Sequence, residues 1–259
     1  LSVTRQKLET DKLPAGARFS LLHLGDLHVE RITKRERELT RAIHDLRPDL
    51  ILFSGDILNL SYVEDPTAIE HARQLIREWS APLGVFGVAG SEAVDLAHIY
   101  PDLVDNLPMR WLRADVVPIK LDGASISVTG LTCSHRPFRD FPILQTLSAQ
   151  RDGEFSILVY HSPDLAPEAA TLGYDLQLSG HTHGGQVCLP FYGPFFTASL
   201  YGRRFQSGRY LIEKMALYIT RGIGLEGKAA PRIRFLCPPE IIYWEIIGTG
   251  AAQQLSPKE

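Results

Sequence analysis

RFSLLHLGDLH, residues 18–28, is a nearly continuous apolar run that stops at Gly25-Asp26. A run of this length without polar alternation reads as a strand buried on both faces that opens into a loop at its carboxyl end. Downstream, RERELTRAIHDL places Leu39, Ala42, Ile43 and Leu46 at helical spacing, and Pro48 closes that helix. DLILFSGD (49–56) repeats the first pattern: a buried strand ending in Gly-Asp. Asp65-Pro66 then reads as an N-cap followed by proline at the first helical position, with Ile69, Ala72, Ile76 and Trp79 on one face. GVFGVAG (84–90) is a third strand running into a glycine. The order β-α-β-α-β implies a parallel sheet covered by helices, and in such sheets ligands sit in the loops after the strands' carboxyl ends.

The second half is richer in strands. VVPIKLDGASISVTGL carries a hairpin signal at Asp122-Gly123, and EFSILVYHSPD, YDLQLSGHTH, ALYITRGIG and EIIYWEII all read as strands. The fold class is therefore α/β, with two sheets of mixed strands covered by helices. No low-complexity linker or internal repeat divides the 259 residues. We expect one domain over 18–247, a polar lead-in over 1–17 and a tail over 248–259.

Lys plus Arg number 27 against 30 for Asp plus Glu, a formal net charge of -3, so no strong positive field advertises a nucleic-acid partner. Cys133, Cys188 and Cys237 are odd in number and widely spaced, which argues against a disulfide framework or a thiolate zinc site. No run of about eighteen apolar residues spans a bilayer. The chain opens LSVTRQKLETDK without an initiator Met, so we expect a processed or truncated product, either membrane-associated through a missing N-terminal anchor or export signal or, without one, cytoplasmic.

Six metal-capable residues fall at strand ends: Asp26 and His28 in GDLH, Asp56 in SGDI, His161 in VYHSPD, and His181 with His183 in LSGHTHGGQ. In extended backbone, residues i and i+2 project to one side, so the two imidazoles of H-x-H can converge on one centre. Each residue alone also fits a polar turn or a satisfied core histidine. Together, two carboxylates and four imidazoles suit Mn²⁺, Fe or Zn²⁺ better than Ca²⁺ or Mg²⁺, which prefer oxygen shells.

The order D-x-H, G-D, His after a strand, then G-H-x-H resembles the calcineurin-like metallophosphoesterases. The tail, with SGHTHGGQ, ALYITRGIG and PRIRFLCPPEI, looks like the bacterial subgroup whose members are often tethered by an N-terminal membrane segment. The resemblance implies a four-layer α-β-β-α sandwich and two divalent metal ions. Asp26, His28 and His183 would bind the first ion, Asp56 would bridge, and His161 and His181 would bind the second. The implied reaction is hydrolysis of a phosphodiester or pyrophosphate by a water held between the ions. A nucleotide-diphosphate or lipid-linked substrate such as UDP-diacylglucosamine belongs to the same expectation. The oligomeric state is left open.

One motif departs from the family. Where it has G-N-H-D/E, whose Asn ligates the second ion and whose His assists the leaving group, this chain has VAGSEAVD (88–95). Glu92 can turn in as a hard ligand with Ser91 binding a phosphate oxygen; or the second site is weak; or the chain is a non-catalytic metal- or phosphate-binding relative. Loss of a general acid points to a substrate with a good leaving group, since such an acid is typically worth roughly 10²–10⁴-fold. His23, His98 and His135 are possible replacements, each with a structural reading beside it.

Arg221 in TRGIG and Arg136 in CSHRPF are candidate phosphate clamps, with surface ion pairing as the alternative. The segment 189–205 concentrates Phe191, Tyr192, Phe195, Phe196, Tyr201 and Phe205 with Arg203 and Arg204. It reads either as an apolar, basic-rimmed flap for a membrane surface or lipid-linked substrate, or as aromatics filling core beneath a long loop.

Overall fold

The structure is a computed structural model, and it describes residues 1–194, 196–226 and 232–250. Two six-stranded mixed sheets stack face to face. The first has the order β1-β14-β2-β3-β4-β5, formed by β1 (Ser2–Pro14), β2 (Arg18–Leu24), β3 (Leu50–Phe53), β4 (Val85–Gly87), β5 (Met109–Trp111) and β14 (Glu240–Gly250). In it β2 to β5 run parallel, β14 is antiparallel to β2, and β1 is parallel to β14. The second comprises β6 (Ala114–Leu121), β7 (Ala124–Leu131), β8 (Phe155–Val159), β9 (Leu176–Ser179), β12 (Gly208–Ile212) and β13 (Met215–Ile219), ordered β12-β13-β9-β8-β7-β6. Its middle four strands are parallel and its two edges antiparallel. A two-stranded ribbon, β10 (Cys188–Leu189) with β11 (Gly193–Pro194), follows the His181–His183 pair.

Successive residues of the buried strands serve different cores because side chains alternate faces. Leu21, Leu52, Ile157 and Leu178 fill the space between the sheets, where Trp244 and Phe155 also lie. Leu22, Ile51 and Phe53 face outward, against Leu39 and Ile43 of α1 (Lys34–Leu46) and Ala68, Ala72 and Ile76 of α2 (Pro66–Arg77). The short α3 (Tyr100–Val104) adds Tyr100 and Leu103 to that layer. On the far side, Leu158 and Leu217 pack under Leu144 and Leu147 of α4 (Pro137–Ser148) and Ala169 of α5 (Ala166–Thr171). This is the four-layer α-β-β-α sandwich expected.

Local chemistry sets the helix starts. Thr33 and Glu36 form a reciprocal capping box on α1, and the Asp65 side chain accepts from the Ala68 N–H with Pro66 opening α2. The Asp122-Gly123 turn joins β6 to β7, with Gly123 at φ 72°.

The expected polar lead-in is instead β1, a 13-residue edge strand. Its half-buried side is Ser2, Thr4, Gln6, Leu8 and Thr10, so it carries no apolar alternation. β14 likewise extends to Gly250, three residues past the boundary placed at 247. No helix among the described residues is long and apolar enough to cross a membrane.

Candidate metal centre

The carboxyl ends of the parallel strands of both sheets open onto one cleft. Asp26 and His28 follow β2, Asp56 follows β3, Ser91 follows β4, His135 follows β7, His161 follows β8, and His181 and His183 follow β9. Their ligand atoms gather into three overlapping groups, each within 4.8 Å: Asp26–His28–His183, Asp26–Asp56–His161 and His135–His161–His181. All six residues expected at strand ends are thus brought together.

Close backbone approach lets the carboxylates sit there. A Cβ on Gly90 would overlap Asp56 Oδ1 and its backbone N, and one on Gly180 would overlap Asp26 Oδ2. Gly90 and Gly180, which end two of the apolar runs in the sequence, therefore make room for an acid from another strand's loop, whereas Gly55 lets the Gly90 backbone approach. Asp56 Oδ1 accepts from the Ser91 N–H at 2.6 Å, and Asp26 Oδ1 from the His181 N–H at 2.9 Å.

Hydrogen bonds on the outer side of the rings fix which nitrogen faces inward. His28 Nδ1 lies 3.2 Å from the Leu58 carbonyl, His161 Nδ1 2.8 Å from that of Ser54, and His181 Nε2 3.0 Å from that of Ala198. Donation to these carbonyls turns the opposite nitrogen of each ring toward the cleft, where it offers a lone pair once unprotonated. His28 Nε2 and His183 Nε2 stand 2.9 Å apart, a spacing that requires at least one to be unprotonated.

Burial and charge act together on these groups. Burial, reinforced by neighbouring imidazoles, lowers His181 to about 3 and His183 well below its ordinary value, which keeps both in the neutral, ligating form. Burial raises Asp26 to about 6 against the pull of His161 and His28. Between Asp56 and His161, 3.3 Å apart, burial opposes charge on both, yet their attraction prevails. His161 rises to about 9 and Asp56 falls well below the usual carboxylate range. Asp26 Oδ2 is buried without a hydrogen-bond partner. A carboxylate oxygen left this way, beside inward-facing imidazoles and a second carboxylate, fits a divalent cation of the Mn, Fe or Zn type.

This donor set and this fold coincide with a known family. The calcineurin-like phosphoesterase profile matches residues 19–185. The chain belongs to the calcineurin-like phosphoesterases. Metallophosphoesterase YkuE of Bacillus subtilis, itself uncharacterised, is 30% identical over 258 residues, covering 96% of this chain and 86% of that one. UDP-2,3-diacylglucosamine pyrophosphatase LpxG of Chlamydia trachomatis is 24% identical over 278 residues, covering 85% and 81%. Among solved structures, TT1561 of Thermus thermophilus superposes with a TM-score of 0.54 at 10% identity, covering 80% of this chain and 91% of that one, and shares the fold. As a member of this family the chain is a metal-dependent phosphoesterase.

The phosphoesterase site departs from sequence expectation at two residues. Glu92 is exposed and belongs to none of the three groups. Because the Ser91 N–H is held by Asp56, Ser91 turns inward instead, its Oγ 3.2 Å from both Asp56 Oδ2 and His161 Nε2. Arg221 does not stand as an open clamp: its guanidinium meets Glu240 at 2.6 Å, and its backbone N–H donates to the same carboxylate. His23 is buried against Ser54, whereas His98 and Arg136 are exposed.

Three residues carry more than their sequence context shows. The sequence marks His135 only as one of three substitutes, although CSHRPF follows a strand directly, as the other site loops do. Asp95 is buried and accepts the backbone N–H groups of Asp56, Ile57 and Gly90, tying the loops after β3 and β4 together. Arg234, from PRIRF, donates to the carbonyls of Arg221, Gly224 and Cys237 and reaches within 3.4 Å of His183 Nδ1. Asp95 and Arg234 hold loops rather than face the cleft.

The aromatic segment divides. Phe205 is buried against Tyr201 and Tyr210, while Phe191, Tyr192, Phe196 and Leu200 are exposed, and Phe195 lies outside the described residues. Phe196 and Ala198 line the cleft beside His181, His183, Asp56 and Ser91.

Proposed function

We propose that the protein is a two-ion phosphoesterase that cleaves a pyrophosphate or phosphodiester bond in a substrate carrying an apolar tail. The observation that carries the two-ion reading is the overlap of the three donor groups through Asp26 and His161, with Asp56 beside both. In this reading Asp26, His28 and His183 hold one ion, His161 and His181 the other, and Asp56 bridges. When bound, such ions supply Lewis-acid polarisation of the phosphoryl group and activate the attacking water. Their identity among Mn, Fe and Zn depends on availability as much as on ligands.

The chain's own residues then have distinct tasks. The outer carbonyl contacts of His28, His161 and His181 fix ring orientation. Ser91 Oγ, next to the bridge, donates to a phosphoryl oxygen. With Glu92 turned to solvent, proton delivery to the leaving group is poorly furnished, which favours a leaving group that departs as a stable anion, such as a nucleoside monophosphate. The donor set, with its unpartnered Asp26 oxygen, argues against a purely structural role for the centre.

The cleft holds about 220 Å³, less than the roughly 300–1,000 Å³ of sites that enclose a whole small molecule, so it suits the reacting end of a larger substrate. Beside it, Val187 pairs with Phe235 next to the ribbon strand that starts at Cys188, and Leu189, Phe191, Phe196, Phe235 and Leu236 are all exposed, Phe196 on the cleft itself. Arg203 and Arg204 flank this rim. Exposed apolar side chains with basic neighbours support a reading in which the protein works at an anionic bacterial membrane surface that presents a lipid-linked substrate. The activity of LpxG is consistent with that substrate class.

The test is hydrolysis of UDP-diacylglucosamine and of bis-p-nitrophenyl phosphate in Mn²⁺, with His183→Ala as control. We expect release of UMP from the first and loss of both activities in the variant. No turnover of either substrate with Mn²⁺, Fe²⁺ or Zn²⁺ overturns the reading.

A further inference from the structure

We propose that His135 is a ligand of the second ion, giving that site three imidazoles and one carboxylate. The inference rests on the two-ion reading above. His135 forms a group with His161 and His181 in which the candidate ligand atoms lie within 4.8 Å, and its ring centroid is 4.4 Å from that of His181 and 5.8 Å from that of His161. Its Nε2 is buried and has no hydrogen-bond partner. A buried ring nitrogen without a partner costs free energy unless something occupies its lone pair. Here its nearest ring neighbours are two imidazoles already assigned to one ion.

The backbone supplies a separate argument. Twelve non-glycine residues among those described have positive φ, and six of them are Asp26, His28, Asp56, His135, His181 and His183. Left-handed backbone is uncommon at non-glycine residues, less so at Asp and His, and it persists where surrounding structure holds a side chain in a required direction. His135, at φ 55°, shares this posture with five of the six residues identified by their strand-end position. The other loop histidine outside the set, His98, does not. Topology agrees: β7 is the parallel neighbour of β8, so the loops bearing His135 and His161 leave adjacent strands at the same end of the sheet.

The donor count explains why such a residue is needed. Without His135 the second ion has His161, His181 and Asp56, plus the neutral hydroxyl of Ser91. With it, four good donors are available, the number that tetrahedral zinc uses. The two sites then differ: the first has two imidazoles with Asp26 and the shared Asp56, and the second is richer in nitrogen, which favours Zn²⁺ or Fe over Mn²⁺ there.

The experiment counts metal. Wild type, His135→Ala and His135→Phe are saturated with Zn²⁺, dialysed and analysed for metal per chain, with circular dichroism to check folding; His28→Ala serves as the first-site control. We expect two equivalents in wild type and one in each folded His135 variant. In Mn²⁺-loaded samples the paired-ion electron paramagnetic resonance signal should give way to that of an isolated ion. Two equivalents in a folded His135 variant overturn the inference and leave the proposed function standing, with His135 acting on substrate or structure. One equivalent or none in wild type overturns the two-ion reading itself. If both His135 variants fail to fold, His135 is a folding residue and the inference also falls.

Discussion

Replacing Asp95 by Asn isolates the contribution of a side chain that touches neither substrate nor ion. Its carboxylate accepts from the Asp56 and Gly90 N–H groups at Oδ2, at 2.8 and 2.7 Å, and from the Ile57 N–H at Oδ1, at 3.0 Å. The amide has one acceptor oxygen. Placed at the Oδ2 position it keeps two bonds but loses their charge assistance, and its NH₂ then meets the Ile57 donor head on. A bond to a charged group is worth roughly 1.5–3 kcal/mol against roughly 0.5–1.5 for a neutral one, and an orphaned buried donor costs roughly 1–3. The gross loss is therefore about 3–5 kcal/mol. Against it stands relief of a costly buried charge: burial and the nearby Asp56 push Asp95 up to about 7, opposing the three N–H donors. We expect a net loss of about 2 kcal/mol, read by urea unfolding of the chelator-treated protein at about pH 7.5. Because the variant also loosens the backbone of Asp56, metal affinity should fall by roughly 10–100-fold, the usual effect of residues that orient ligands. Unfolding within about 0.5 kcal/mol of wild type together with unchanged metal affinity would refute the tethering argument.

Two further outcomes follow from buried groups outside the cleft. His23 is fully buried, its Nδ1 has no partner, and burial lowers it to about 3. The unfolded chain takes up that proton near pH 6.5, so this residue costs stability progressively as pH falls from about 6.5 toward 3. His23→Leu, which leaves Ser54 Oγ its bond to the Leu24 carbonyl, should gain about 2.5 kcal/mol relative to wild type between about pH 7.5 and 4.5. A pH-independent difference in urea unfolding would dismiss this account. Arg221→Ala strips Glu240 of its guanidinium but leaves it the Arg221 N–H and Thr4 Oγ. Breaking a buried pair costs roughly 3–5 kcal/mol, less here because Arg221 is partly exposed, so we expect about 2–3 kcal/mol and unchanged metal stoichiometry. Wild-type stability with a raised KM would return Arg221 to the role of phosphate clamp.

The parallel half-sheet and the loops that carry Asp26, His28, Asp56, His181 and His183 were legible because those apolar runs end in a glycine that is spatially required, and His161 because it directly follows a wholly apolar strand. What was not legible depends on contacts between distant segments. β1 lies on an edge beside β14 and reaches the intersheet core only through Leu8 and Leu13, so most of its half-buried side is polar. α4 was obscured by Pro137 and Pro142, although the first opens the helix and the second lies within it. The choice between Ser91 and Glu92 turned on a single hydrogen bond, Ser91 N–H to Asp56, which rotates one side chain inward and sends the next to solvent. Spacing along the chain contains no record of that bond.

The order β1-β14-β2 has a consequence for how the molecule is made. β1 and β2 are separated by only three residues, yet neither pairs with the other; their common neighbour is residues 240–250. During synthesis the first sheet therefore waits, with the long edge of β2 open, until residues 240–250 have left the ribosome. Pairing across such sequence distances is intrinsically slow and leaves open edges exposed to other chains. The loop bearing Asp26 and His28 hangs from β2, so these two candidate ligands depend on β14, a strand formed from residues far along the chain.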